Sequence, residues 1–199
     1  MELTPEYHAE IARLANAYGE PRRVDAAISD DFFDPIHRPD RIGEVCMVVQ
    51  RPNGKILLAI KTFYPRGAYR LPTGGIARGE PILGALRRET EEETGLQTEV
   101  RRFLGQVAYR ARSRPDGPPI FHTFAFLLEV ISGSLAARDD AEQIEDYKEV
   151  EPAELRSIAH HLERLTSAPS DRIRGDWSDW GKFRAVVHRV VADALEDVI

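Results

Sequence analysis

Gly74-Gly75-Ile76-Ala77-Arg78-Gly79-Glu80-Pro81-Ile82-Leu83-Gly84-Ala85-Leu86-Arg87-Arg88-Glu89-Thr90-Glu91-Glu92-Glu93-Thr94-Gly95-Leu96 is the stretch on which the reading of this chain turns. Residues 82–94 read as a helix. Glu92 and Glu93 follow Glu89 by three and four positions, so at 3.6 residues per turn all three carboxylates share one face. Glu91 points nearly the opposite way. Ile82, Leu83 and Leu86 form the neighbouring apolar stripe, which is expected to pack on a sheet, and Gly95 supplies a left-handed stop. Three acids on one face repel, each like pair costing a few tenths of a kcal/mol (~0.2–0.5) on an exposed helix. Either the face is simply solvated, or a cation reverses the penalty. Mg²⁺ suits the second case, because it prefers oxygen ligands and joins carboxylates to substrate phosphates. There it would polarise a phosphoryl oxygen and acidify an attacking water. Arg88 is placed to pair with Glu92 one turn on.

The glycine and arginine positions decide between these readings. The stretch resembles the Nudix box: Gly, five residues, Glu, seven residues, Arg-Glu, an apolar residue, any residue, Glu-Glu, any residue, Gly and an apolar residue. Gly74, Glu80, Arg88, Glu89, Glu92, Glu93 and Gly95 match the fixed positions, and Leu96 the last apolar one. Thr90 stands where an aliphatic residue is usual and is expected to be half-buried by its methyl. Thr73 stands where many members carry another glycine. The resemblance implies an α+β fold with a mixed β-sheet sandwiched between helices. It also implies a Mg²⁺-dependent pyrophosphohydrolase, with Mn²⁺ as an alternative ion. Glu92 and Glu93 would be principal metal ligands, with Glu89 a further ligand or the group orienting the water. The Thr73 carbonyl would be another ligand, Arg88 would orient a carboxylate, and Glu80 would hold the loop to the helix.

Working outward, residues 4–18 read as a helix opened by Thr4-Pro5-Glu6, with Ile11, Leu14, Ala15 and Tyr18 at helical spacing. Residues 29–41 look like a connecting arm. Strand sequence begins near Glu44, and Val45–Gln50 and Lys55–Phe63 flank Pro52-Asn53-Gly54, a hairpin signal. Residues 99–112 and 120–131 read as further strands around a Pro- and Gly-rich loop, and 147–150 as a short one. Helical sequence follows from Pro152 to about Leu165. A turn-rich segment over 166–180 then leads to an amphipathic helix over 182–196. The expected organisation is a helical extension and arm over residues 1–40, a hydrolase domain over 41–155, and a helical extension over 156–199 that covers the sheet or forms a dimer interface.

Other groups are candidates for the site. In the loop Asp139-Asp140-Ala141-Glu142-Gln143-Ile144-Glu145, Glu142 is the first choice for an extra ligand or base and Glu145 the second; a solvated loop has the same composition. Tyr69 and Arg70 precede the box and are candidates to stack on a base or contact phosphate, with core packing the alternative for Tyr69. Arg110, Arg112 and Arg114 alternate along one strand face. They either build a phosphate-binding wall, with Arg112 as its candidate, or are solvated. Glu129 is expected to face outward. Trp177 and Trp180 read as packing or dimer contacts, and His160-His161 as surface residues.

With 199 residues, 42% hydrophobic and 30% charged, the chain suits one globular domain with extensions and not a disordered or fibrous class. The formal net charge of −6 argues against a general nucleic-acid surface but leaves room for a local basic pocket. Cys46, the only cysteine, lies in an apolar run and reads as a small hydrophobe. The first residues lack a basic region followed by an apolar core, and no apolar run reaches about 20 residues, so a cytoplasmic protein is expected with no membrane partner. The expected substrate is a small nucleotide, a nucleoside diphosphate linked to another group such as ADP-ribose or a nucleotide-sugar. A nucleoside triphosphate and a non-hydrolytic sensing role are the alternatives, and the family's frequent dimerisation raises a homodimer.

Overall fold

The computed structural model describes residues 2–31, 33–36 and 38–197. A helix α1 (Pro5–Tyr18) leads into the strands β1 (Arg22–Ile28), β2 (Arg41–Gln50), β3 (Ile56–Lys61) and β4 (Thr73–Ala77). Helix α2 (Ile82–Thr94) follows, then β5 (Leu96–Ala111), β6 (Phe121–Gly133) and β7 (Ile144–Val150). The chain closes with α3 (Leu155–Glu163), a two-residue hairpin of β8 (Pro169–Ser170) and β9 (Gly175–Asp176), and the long α4 (Trp177–Glu196). No described helix is long and apolar enough to cross a membrane.

The main sheet is mixed and runs β1-β5-β6-β2-β3-β7, with β4 also paired to β2. Its centre follows from the uninterrupted apolar run of β2, since a strand buried on both faces has no need of polar residues. Val45, Met47 and Val49 pack with α1 and α2 on one face, and Cys46 and Val48 pack towards α4 on the other. Phe124, Phe126 and Leu128 of β6 join the first cluster, while Ala125 and Leu127 join the second. The period of two thus divides the core between two helical layers, the α+β sandwich expected from the box.

The elements fall close to the positions read from the sequence, with three differences. Residues 22–28 form a strand parallel to β5, where the sequence had suggested no element. Its Arg22, Arg23 and Asp25 are exposed or outward because β1 is an edge strand, so it has no apolar run to betray it. β2 begins at Arg41 rather than near Glu44. The last helix begins at Trp177 rather than Lys182, because the Asp176 carboxylate accepts a hydrogen bond from the Ser178 amide at 2.7 Å and caps it. Both tryptophans then lie buried in its first turn, edge-on to Tyr64.

The first helix does more than cover the sheet. Pro81 precedes α2 and offers no side-chain cap. Glu10 of α1 supplies one, its two oxygens accepting from the amides of Ile82 at 3.0 Å and Leu83 at 3.2 Å. A carboxylate there meets two orphan donors and the positive end of the helix dipole. Tyr7 accepts from the Gly79 amide at 2.9 Å and donates to the Glu80 carbonyl at 3.1 Å, fixing the loop one turn earlier. We predict that Glu10→Ala lowers unfolding free energy by about 1 kcal/mol, the usual cost of losing a cap, with Glu10→Gln costing less. Urea denaturation of the three proteins checks this, and equal midpoints would show that α2 does not depend on the cap.

Candidate active site

β4 and α2 hold the acidic site between them. Gly74 on β4 is there because Glu89 leaves no room for more: a Cβ at Gly74 would lie 2.1 Å from the Glu89 carboxyl carbon. Glu80 accepts from the Ala77 amide at 3.0 Å and so closes the loop between strand and helix, as its place in the box implies. Arg88 is the hub. Its guanidinium reaches Glu80 at 2.9 Å, Glu89 at 2.8 Å, Glu92 at 3.0 Å and the Gly75 carbonyl at 3.1 Å. Thr90, expected to be half-buried, is fully buried, and its hydroxyl donates to the Leu86 carbonyl at 2.6 Å, so the polar atom costs the core little. Glu91 faces away and pairs with Arg138 at 2.5 Å.

The loop after β6 docks on the end of α2. The Ala136 and Arg138 amides donate to the carbonyls of Thr94 and Glu92, at 3.0 and 2.9 Å. Asp139 then accepts from the Ala141 amide at 2.8 Å, and the Tyr147 hydroxyl donates to the Glu93 carbonyl. These contacts carry Glu142 over the acidic face. Oxygens of Glu89, Glu92 and Glu142 lie within 4.8 Å of one another. Glu93, on the same helix face, is turned inward to Lys61 at 3.3 Å and Arg70 at 3.7 Å. Its Oε2 is buried with no hydrogen-bond partner among the described residues.

Burial dominates the electrostatics. It pushes the Glu89 carboxyl up to about 7 against the pull of Arg88, and raises Glu93 against Arg70 and Lys61. Burial also works to raise Glu142, but the Lys61 ammonium at 2.7 Å overcomes it and leaves Glu142 below the usual carboxylate range. Lys61 in turn is held above its ordinary value, because Glu93 and Glu142 outweigh its own burial. Three crowded oxygens, a fourth carboxylate with a bare oxygen behind them, and hard ligands throughout fit a divalent cation of the Mg²⁺ kind.

The other candidates are distributed unevenly. Thr73 and Arg70 line a cavity beside the carboxylates. Tyr69 does not; its hydroxyl donates to Asp146 at 2.5 Å on the outer surface. Arg112 is exposed beyond the end of β5 and Arg110 is engaged by Asp25 at 2.8 Å, so these arginines do not line the cavity beside the carboxylates. Glu145 is exposed, Glu129 pairs with Arg101, and His160 and His161 are exposed. The sequence reading missed Lys61, which ends β3 directly after five buried residues, and the pair Glu44–Arg184, joined at 2.7 and 2.8 Å across 140 residues. Nothing local marks a partner so distant, although a glutamate in a buried apolar strand is itself a signal.

A match to the NUDIX domain family covers residues 40–170. The chain belongs to the Nudix hydrolase family. It is 36% identical over 100 residues to the ADP-ribose pyrophosphatase of Methanocaldococcus jannaschii, a match covering 49% of this chain and 56% of that protein. It is 31% identical over 140 residues to the NAD-capped RNA hydrolase NudC of Photobacterium profundum, covering 67% of this chain and 49% of that one. The chain thus spans about half the length of these curated relatives. Among solved structures, an ADP-ribose pyrophosphatase from Streptococcus suis is similar at 16% identity and a TM-score of 0.46, over 76% of this chain and 90% of that one.

The Nudix box is also braced from the far side of the sheet. His188 of α4 is fully buried. Its Nε2 accepts from the Leu71 amide at 3.0 Å, which leaves Nδ1 to donate to the Arg184 carbonyl at 2.8 Å and makes the ring a neutral tautomer. Burial lowers its pKa to about 4 from an ordinary 6.5. Between those values the unfolded chain binds the proton and the folded one does not, so this group's contribution is present above pH 6.5 and is lost as pH falls to 4. The full loss is about 3 kcal/mol at 1.36 kcal/mol per unit. Urea denaturation from pH 7 to 4 should show a shallower loss for His188→Gln than for the wild type, whatever the variant's absolute stability. Parallel curves would mean that the imidazole is not held neutral.

Proposed function

We propose that this protein hydrolyses the pyrophosphate linkage of a nucleoside diphosphate joined to another group, of the ADP-ribose or nucleotide-sugar type, in a Mg²⁺-dependent reaction in which Mn²⁺ can substitute. The observation that carries this reading is the convergence of Glu89, Glu92 and Glu142 from two separate chain segments, with the bare Oε2 of Glu93 behind them. The ADP-ribose pyrophosphatase among its relatives supports the substrate type. A sensing module that no longer cleaves would be free to lose box carboxylates, and this chain keeps them all.

When bound, the divalent cation would polarise a phosphoryl oxygen and acidify a water. The protein's own groups have distinct tasks. Glu89, Glu92 and Glu142 would hold the cation, with the Thr73 carbonyl a further ligand at the edge of the cavity. Arg88 keeps Glu89 and Glu92 in fixed rotamers through bonds to both. Glu93, with one oxygen occupied by Lys61 and Arg70 and the other free, is suited to accept a proton from an attacking water or to complete the ligand set. Lys61 bridges Glu93 and Glu142 and prevents their mutual repulsion from opening the site. On this reading residues 41–155 are the catalytic unit, served by residues 1–40 and 156–199.

A phosphate-release screen over nucleotide-sugars, dinucleotides, coenzyme A and triphosphates, run with Mg²⁺ and with EDTA, tests the activity. Glu93→Gln is isosteric and should lower turnover about 100-fold or more while leaving the circular dichroism spectrum unchanged. Near-normal turnover of that variant at saturating Mg²⁺ would refute the assignment.

A further inference from the structure

A cavity of about 170 Å³ opens beside the acidic cluster and shares Lys61, Thr73 and Gly74 with it. Pockets that enclose a drug-sized ligand start at roughly 300 Å³, so this one suits a compact group and leaves a nucleoside outside. Its charge is unusual for a chain of net −6. Arg38, Arg41, Lys61, Arg70, Arg172 and Arg184 line it, against only Asp34 and Glu44.

These cations are unequally matched. Arg184 is held by Glu44, and Lys61 by Glu142 and Glu93. Arg38 reaches Asp34 only at 3.9 Å. Arg41 lies over Gly75, where a Cβ would come within 2.4 Å of its guanidinium carbon. Its guanidinium has no hydrogen bond or ion pair with any described residue, though its charge acts on Glu80, and Arg172 has only the Phe63 ring, 5.6 Å away. The walls also hold two unmet donors. Arg70 Nε and Arg184 Nε, on residues 1% and 4% exposed, have no hydrogen-bond partner among the described residues. A buried charged donor left unmet is costly, and two on one cavity point to an acceptor brought from outside. Arginine forks in this number match the several oxygens of a phosphate.

The cavity is also not wholly a product of the family domain. Seven of its sixteen lining residues lie outside residues 40–170, among them Arg38 in the arm before β2 and Arg172 in the β8–β9 turn. The charge count then separates this cavity from the cleavage site. The two charges of a scissile pyrophosphate diester would be met by a divalent cation, since Lys61 is already engaged by Glu93 and Glu142. Arg38, Arg41 and Arg172 remain, and a phosphomonoester would bring about 1.5 to 2 further negative charges to them.

We propose that this cavity is a phosphate subsite, and that the preferred substrate carries a phosphomonoester beyond the two phosphates of the scissile linkage. Arg41 forms its floor, and Arg38 and Arg172 at its mouth determine specificity. This rests on the pyrophosphohydrolase reading above and narrows its substrate class.

Two measurements test it. The first is steady-state kinetics on matched pyrophosphates that differ by one phosphomonoester at either end, such as ADP-ribose with and without a terminal phosphate. KM for one phosphorylated member should be lower by about tenfold or more, and Arg38→Ala/Arg172→Ala should reduce that preference to about twofold. The second is thermal shift in EDTA, where tripolyphosphate should stabilise the wild type more than pyrophosphate does and the double variant should lose the difference. Equal KM values across every pair, or a preference that survives in the double variant, would overturn the subsite while leaving the hydrolase standing. If the folded protein cleaves no pyrophosphate at all, the hydrolase reading fails. The EDTA measurement then decides the subsite alone, arginine-dependent stabilisation supporting it and none overturning it.

Discussion

The constraint on which the rest depends is the burial of Glu89 and Glu93 on one turn of α2, at 6% and 1% exposure. Removing a carboxylate from water costs several kcal/mol even after the protein relaxes, and two together repel. Each must therefore be answered by a positive group fixed in place. Arg88 answers Glu89 from the same helix, while Lys61 of β3 and Arg70 before β4 answer Glu93 from the sheet. The box thus cannot be assembled by α2 alone. It needs β3 and β4 at the register the structure gives them, with Ala59 paired to Arg70 across the two segments. Because Glu93 Oε2 has no hydrogen-bond partner among the described residues, the compensation stops short of complete.

The terminal segments extend this support in opposite directions. Glu10 and Tyr7 of α1 fix the start of α2 and the loop before it, so the carboxylates face the sheet at a set angle. His188 of α4 fixes Leu71, three residues before Gly74, from the other layer. Arg184, one turn earlier on α4, brings its charge through to Glu44 at the sheet centre. Both extensions therefore act on the same short segment of backbone, one from each side of the sheet, and neither is a passive cover.

Much of this was legible in the sequence because it depends on short-range periodicity. The face shared by Glu89, Glu92 and Glu93, the stop at Gly95, and the hairpin at Asn53-Gly54 are all set within a few residues. Glu142 was only the first choice within a loop whose composition suits solvation equally, and the contacts that bring it to Glu89 and Glu92 are made by residues 136–138 with the end of α2. Arg70 and Tyr69 show where local reading ends. They are adjacent, so in a strand-like segment they point to opposite sides, and only the register of the pairing with Ala59 puts Arg70 inside and Tyr69 out. β1 was hidden because an edge strand keeps its charged residues. The lining of the basic cavity was hidden because its arginines come from positions 38, 41, 172 and 184, which only the folded chain brings together.

That separation in sequence explains how one small domain holds an acidic cluster and a basic cavity side by side. Were the arginines free to reach the carboxylates, they would neutralise them and exclude a cation. Here each is restrained by its own element. Arg184 is pinned by Glu44, Arg41 lies over Gly75, and Arg172 is carried on a hairpin against Phe63. Of the cations lining the cavity only Lys61 and Arg70 pair with the clustered carboxylates, Lys61 with Glu93 and Glu142 and Arg70 with Glu93, while oxygens of Glu89, Glu92 and Glu142 stay within 4.8 Å of one another. The acidic and basic halves therefore keep opposite charge side by side, which neither could do if the arginines had been allowed to collapse onto the carboxylates.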